Sequence, residues 1–302
     1  MENKKKMYKK APIPFPGQKR NFINEVIAFL TSAIKNETGA GYVILDVFGG
    51  SGLLSHVAKS TFPQARVVFN DYDNARESIN RLPVAIKNWE VINTICCKYY
   101  TTDYLKKIKR GDRILRNASL ANEIRDWITN TPYLELHIPF INLWLCFGGT
   151  TASNKEELLK NLKGESVCFN LPLKPPENVG NTYLDGLEIV CLDFKPLLDS
   201  YANVENVIYI LDPPYLFTTP NKHKLSHKQS FSIPDYIELL MRLKAPYMLM
   251  SSDESESNTL MDLLALNQCP NWKSLINYTV VEREKGAGGK MKRKEYIYTK
   301  FV

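Results

Sequence analysis

Residues 42–52 read Y-V-I-L-D-V-F-G-G-S-G, and they decide the fold. The run YVILDV is apolar and β-branched save for Asp46, as a strand buried on both faces requires. Gly50 and Gly52 permit a sharp turn and a close approach of backbone to ligand, and helical spacing follows from about Leu53 to Lys59. Residues 66–70, RVVFN, read as a second strand ending on Asp71, Tyr72 and Asp73, with a helix carrying Arg76 and Ile79 behind it. Strand, glycine loop, helix, strand and acid make the first half of a doubly wound α/β sheet.

Upstream, MENKKKMYKK is a basic tail and APIPFPGQKR a proline-rich loop. Helical spacing runs from Asn21 to Lys35, with Phe22, Val26, Phe29 and Leu30 on one side. Downstream, LEIVCL (187–192), NVIYIL (206–211) and PYMLMS (246–251) resume strand character, and a helix covers Tyr236 to Lys244. NYTVVE (277–282) and EYIYTKF (295–301) predict a closing antiparallel hairpin around the loop KGAGGKMKRK. Between about Lys98 and Asn181 apolar runs shorten and basic residues multiply. Helical periodicity there, at Ser119–Ile128, Phe140–Phe147 and Lys155–Leu162, marks an inserted, mainly helical module. The expected division is 1–97 and 186–302 as two parts of one α/β domain, with 98–185 inserted between them.

The 302 residues suffice for a sizeable core, and 44% hydrophobic with 24% charged is a globular composition. No apolar run is long enough to span a bilayer, and the basic N-terminus leads into prolines rather than the apolar core of a secretory signal. Six scattered cysteines without a C-x-x-C pair point away from zinc and disulfides and toward a reducing compartment. A net charge of +7 favours a polyanionic partner.

In an open α/β sheet, ligands bind at the carboxyl ends of the strands. That rule gathers Asp46 with its glycine loop, Asp71, Asp193 and Asp212 at one edge, and each admits a bland reading. The glycine loop is also a packing turn, and it lacks both the G-x-G-x-x-G of a dinucleotide site and the lysine of a P-loop. Asp71 suits two ribose hydroxyls or a strand-end turn. Asp193 with Phe194 suits an adenine amino group and its ring, or a helix cap beside a core phenylalanine. Asp212-Pro213-Pro214-Tyr215, closing the strand before it, is more specific. The Asp212 carboxylate and the Pro213 carbonyl are two acceptors, and Tyr215 offers a flat face, a set suited to a planar heterocycle with an exocyclic amine. Two hydrogen bonds that pull such an amine toward tetrahedral geometry localise its lone pair and stabilise the charge that develops on attack. The bland counterpart is a proline-terminated strand with a surface tyrosine.

In their order, these motifs resemble the Dam-like (D12 class, alpha group) S-adenosylmethionine-dependent DNA adenine-N6 methyltransferases. PFPGQK (14–19) is similar to the family's N-terminal cofactor motif, DVFGGSG to its D-x-F-x-G-x-G, and NDYD (70–73) to its ribose-binding acid. LDF (192–194) is similar to the cofactor-adenine site, DPPY to the catalytic motif, and MLMSSDE (248–254) and EYIYTKF to the closing strands. The resemblance implies a Rossmann-like doubly wound methyltransferase sheet with S-adenosylmethionine as cofactor. Phe15, Gly17 and Lys19 would then serve the cofactor, Lys19 by contacting the methionine carboxylate. Asp46, Phe48, Gly50 and Gly52 would border its methionine part, Asp71 its ribose, and Asp193 and Phe194 its adenine. Asp212 and Pro213 would orient the N6 amine of a flipped adenine, Pro214 would stiffen the turn, and Tyr215 would stack on the base. The family's G-G-K becomes Gly17-Gln18-Lys19 here, so one glycine is lost.

The insertion falls where the family places target recognition. Its Lys109, Arg110, Arg113 and Arg116 suit backbone contacts to double-stranded DNA, as do His223, Lys224 and Lys228 after the catalytic motif and Lys292 and Arg293 before the last strand. A metal site at His223 and His227 is the other reading of that pair, against which stand Pro220 nearby and the lack of an acidic residue in the stretch. The resemblance also implies a monomer without a membrane partner, in the cytoplasm of a bacterium or a phage-infected cell, and a place in restriction-modification, phage protection or housekeeping methylation. Three alternatives stand beside it: cytosine-N4 methylation, where Ser more often precedes Pro-Pro-Tyr; an RNA or protein-glutamine methyltransferase, where Asn does; and a catalytically silent DNA-binding relative.

Overall fold

The computed structural model describes residues 7–15, 17–107, 114–146, 150–162, 164–168, 175, 180–216, 231–252, 255–268, 279–287 and 291–301. It contains two compact units, one of Met1–Ala11, Gly17–Asp73 and Leu184–Val302, the other of Pro12–Pro16 and Asn74–Tyr183. The helices are α1 (Ile23–Ala33), α2 (Leu53–Thr61), α3 (Ala75–Asn80), α4 (Leu82–Tyr99), α5 (Thr102–Lys107), α6 (Ala118–Asn130), α7 (Ile138–Leu145), α8 (Lys155–Asn161), α9 (Gly180–Tyr183), α10 (Phe194–Tyr201), α11 (Ile233–Arg242) and α12 (Ser257–Leu266). The strands are β1 (Val43–Asp46), β2 (Arg66–Asn70), β3 (Ile114–Arg116), β4 (Ser166–Cys168), β5 (Leu187–Val190), β6 (Val207–Leu211), β7 (Tyr247–Ser252), β8 (Thr279–Ala287) and β9 (Met291–Lys300).

The first unit is built on a seven-stranded sheet of order β5-β2-β1-β6-β7-β9-β8. The strands from β5 to β7 run parallel, and β9 lies antiparallel to both of its neighbours. Chain order reverses between β1 and β6, which makes their carboxyl ends the switch point where such sheets take ligands. Strands β1, β6 and β7 are buried on both faces along their whole length, and the side chains of the sheet alternate between two cores with the period of two that strands impose. Ile44, Val67, Ile208, Ile210, Met248, Met250 and Ile297 face one core, closed by Val26, Phe29 and Leu30 of α1 and Leu54 and Ala58 of α2. Their neighbours Val43, Leu45, Val68, Tyr209, Leu211, Tyr247, Leu249 and Tyr298 face the other core, closed by Phe194, Leu197 and Leu198 of α10, Tyr236, Leu239 and Leu240 of α11 and Met261 of α12.

The second unit is mainly helical, and Trp144 of α7 is among its most deeply buried side chains. Asn117 and Asn154 cap α6 and α8 by accepting from the backbone three residues on. The Arg81 guanidinium clamps the turn before α7, donating to the carbonyls of Leu134 at 3.1 Å and Leu136 at 2.8 Å. The antiparallel pair β3–β4 was not expected here, because three-residue strands are too short to show alternation. A second correction concerns the closing hairpin. Its strands reach Ala287 and begin again at Met291, so most of the expected loop KGAGGKMKRK is ladder. Backbone pairing holds a polar run extended without any apolar pattern to announce it. Among the described residues no helix is long and apolar enough to cross a membrane.

Candidate active site

The alternation of the sheet places the acids at its carboxyl edge. Asp46 ends β1 on the face of Ile44, and Asp212 follows β6 on the face of Ile208 and Ile210. Both therefore turn toward the α1–α2 layer. Lys19 enters that layer just ahead of α1, anchored by the buried Phe22 three residues on. Its Nζ lies 2.7 Å from Asp212 Oδ2, and the two side chains are 7% and 20% exposed. The same ammonium donates to the Gly17 carbonyl at 3.2 Å and lies 5.2 Å from the centre of the Tyr215 ring. Burial alone would lower the lysine, but the charge of Asp212 and its hydrogen bond, with Glu295 adding, outweigh that and hold the ammonium well above the ordinary lysine range. Burial pushes the Tyr215 hydroxyl up to about 12, with the charge of Lys19 opposing.

Asp46 is 1% exposed. Its Oδ2 accepts from Ser55 Oγ of α2 at 2.5 Å, while its buried Oδ1 has no hydrogen-bond partner among the described residues. Burial pushes the carboxyl up to about 7, the Ser55 bond opposing and the charge of Asp212 adding. A buried acceptor without a donor is rare in a folded chain and suits a cationic or N–H-bearing ligand group.

The loop after Asp46 is shaped by two contacts. A Cβ on Gly49 would stand 2.3 Å from two carbons of the Phe69 ring, so only glycine fits between β1 and β2 there. Gly52 opens α2 at φ +72°, a conformation L side chains rarely adopt. Asn70 then ties the edge together: its Nδ2 donates to the carbonyls of Val47 and Leu192, each at 2.9 Å, and its Oδ1 accepts from the Leu192 amide at 3.0 Å. Asp71 is 6% exposed, and its amide donates to the Val190 carbonyl at 2.7 Å. Beside it, Phe48, Phe194 and Phe231 form a ring cluster with centroids 5.5 to 5.8 Å apart. Asp193 caps α10 by accepting from the Lys195 amide at 2.9 Å, so the bland reading of that residue describes one thing it does.

The structure thus brings Lys19, Asp212 and Tyr215 into one cluster, sets Asp46 on the same sheet face, and gathers Phe48 with Phe194. Pro213 is buried and Pro214 half-buried. Phe15 groups with the second unit, where Arg116 is exposed on β3. Lys109, Arg110, Arg113, His223, Lys224 and Lys228 lie outside the described residues, as do the side chains of Lys292 and Arg293 on β9. Five contributors escaped the sequence reading: Gly49, Ser55, Asn70, Phe231 and Glu295. The parity of Glu295 with Ile297 was a usable signal for the last. The others act through partners that local sequence does not name.

Residues 15–273 match the family described as D12 class N6 adenine-specific DNA methyltransferase. A protein of Haemophilus influenzae named "Putative methyltransferase" is 33% identical over 279 residues, covering 91% of this chain and 86% of that one. Among solved structures, precorrin-6y C5,15-methyltransferase of Geobacter metallireducens is 11% identical with a TM-score of 0.35, covering 98% of this chain and 97% of that chain. That likeness is too loose to carry an argument, and the fold rests on the strand order and register. On the family match and the Haemophilus relative together, the chain belongs to the D12 class N6 adenine-specific DNA methyltransferases.

Proposed function

We propose that this protein transfers a methyl group from S-adenosylmethionine to the N6 amine of an adenine extruded from double-stranded DNA. The observation that carries the reading is the pairing of the buried Lys19 with Asp212 beside Tyr215, at the switch point of the sheet. When bound, S-adenosylmethionine supplies an electrophilic methyl group. The residues present fit it. The Asp46 Oδ1 is buried without a hydrogen-bond partner among the described residues, and the methionine ammonium would ionise the carboxyl and donate to it. Gly49, Gly50 and Gly52 remove three side chains from the loop and let its backbone approach a ligand, Lys19 would meet the methionine carboxylate, and Asp71 the ribose hydroxyls. Phe48, Phe194 and Phe231 would line the adenine, with Asp193 at its amino group.

The chemistry on the DNA side belongs to the tetrapeptide. Paired with Lys19, Asp212 accepts and does not donate. Together with the Pro213 carbonyl it takes the two hydrogens of the amine, localises the lone pair and stabilises the developing positive charge. Tyr215, its hydroxyl kept neutral, stacks on the extruded base and offsets part of the cost of unstacking. Arg116 and the basic residues of the insertion would hold phosphates and so position the duplex without reading its sequence.

The test is a pair of variants, Asp212→Asn and Tyr215→Ala, assayed for transfer of labelled methyl to unmethylated duplex. Each is expected to lose at least about a hundredfold in rate. Calorimetric affinity for S-adenosylmethionine should stay within about threefold. Variants that transfer methyl at the wild-type rate contradict the assignment.

A further inference from the structure

Resting on the reaction just proposed, Asp212 must do two things at once. It holds the Lys19 ammonium at 2.7 Å, and it must accept from the target amine. Its two oxygens leave room for both partners. The difficulty is charge. As the amine nitrogen turns positive it competes with Lys19 for one carboxylate. Lys19 is 7% exposed and cannot carry its charge into water without leaving the site. A buried ammonium that loses its anion tends to lose its proton. A neutral Lys19 could no longer meet the methionine carboxylate, so an anion supplied by the chain itself in the same layer would keep it charged whether or not the cofactor is bound.

Glu295 answers that need. It is 3% exposed, deeply buried for a carboxylate. Its register partner is Ser252, at the carboxyl end of β7, which neighbours β6. It stands two residues before Ile297, which buries against Phe22, Phe29 and Leu30. Strand alternation therefore sends Glu295 into the α1 layer, where Lys19 enters. Its negative field reaches both Lys19 and Tyr215. We propose that Glu295 is a positioning residue that holds the Lys19 ammonium in the site while Asp212 serves the target amine.

The experiment reads the charge of Lys19 directly, by the 13C shift of its labelled Cε, assigned through Lys19→Arg. Asp212→Asn imitates a carboxylate whose charge is spent on the amine. In that variant, with Glu295 intact, Lys19 is expected to remain an ammonium at about pH 8, and in Asp212→Asn/Glu295→Gln to be neutral there. Discharge in Asp212→Asn alone overturns the proposal. So does a double variant whose Lys19 stays charged. A second arm needs only Glu295→Gln. Its kcat should fall about tenfold with the KM for DNA and the affinity for S-adenosylmethionine unmoved, and Glu295→Asp should recover part of the loss. An unchanged kcat overturns the proposal. A wild-type protein that leaves adenine unmethylated overturns the proposed reaction instead, and the Lys19 titration still decides Glu295.

Discussion

Asp46 shows how one side chain couples site and stability. Its carboxyl moves from an ordinary 3.8 to about 7 because burial disfavours the charged form. The folded chain thus holds this proton more tightly than the unfolded chain does. The stability it contributes is fully present below the unfolded value and is lost as pH rises through about 7. Thermal melting of the ligand-free protein between about pH 4 and pH 8 should therefore show a fall that Asp46→Asn removes. Identical pH profiles for the two proteins would count against a buried, protonated Asp46. Gly49 makes a second residue-scale case. Gly49→Ala drives a methyl group into the Phe69 ring, and overpacking of this kind costs about 1–3 kcal/mol. Chemical denaturation measures it, and Gly49→Ala with Phe69→Leu should recover part of the loss. The sequence pointed to Gly50 and Gly52 in that loop rather than Gly49, since the ring that demands glycine belongs to a different strand.

At the scale of elements, the glycine loop after β1 and the segment between β5 and α10 are locked by one amide. Replacing Asn70 with Leu removes three hydrogen bonds and leaves buried backbone groups unsatisfied, at a cost of about 1–3 kcal/mol. It should also weaken S-adenosylmethionine binding measured by calorimetry, because both tethered segments border the proposed cofactor site. Full affinity in Asn70→Leu would show that the clamp serves folding alone. The ion pair of Arg66 with Glu188, across β2 and β5, makes a useful contrast. It is bidentate, at 2.6 and 2.8 Å, yet its side chains are 52% and 41% exposed. Arg66→Gln should change stability by no more than about 1 kcal/mol. The strands themselves were legible: β2 spans the predicted RVVFN, and β1, β5, β6 and β7 lie within a residue or two of their apolar runs, most plainly in β1, β6 and β7, where burial on both faces leaves a continuous apolar signature. The extended arms of β8 and β9 were not, since a polar run held by backbone pairing carries no apolar alternation in the sequence.

Across the whole molecule, what joins the site is long range. Lys19 and Asp212 lie far apart in sequence, and nothing local to either names the other. What the strand-end rule did make legible is an edge that carries Asp46 and Asp212, and the strand register sets those two on one face. The proposed docking of DNA by the second unit rests on charge, and so it makes a prediction about salt. Affinity for duplex should fall steeply with ionic strength, and Arg116→Ala should lower the slope of log affinity against log salt by about one. It should do so about equally for every DNA sequence, because a phosphate contact positions the duplex without reading it. A slope unmoved by Arg116→Ala would remove β3 from the interface.

The central claim is tested most directly by nucleoside mass spectrometry of DNA from a methylation-deficient host expressing either the wild-type protein or Asp212→Asn. The account predicts N6-methyl-2′-deoxyadenosine with the wild type, none with the variant, and no N4-methylcytosine in either. Methyl groups on cytosine, none on adenine, or the same amount of methyladenine with both proteins would contradict it.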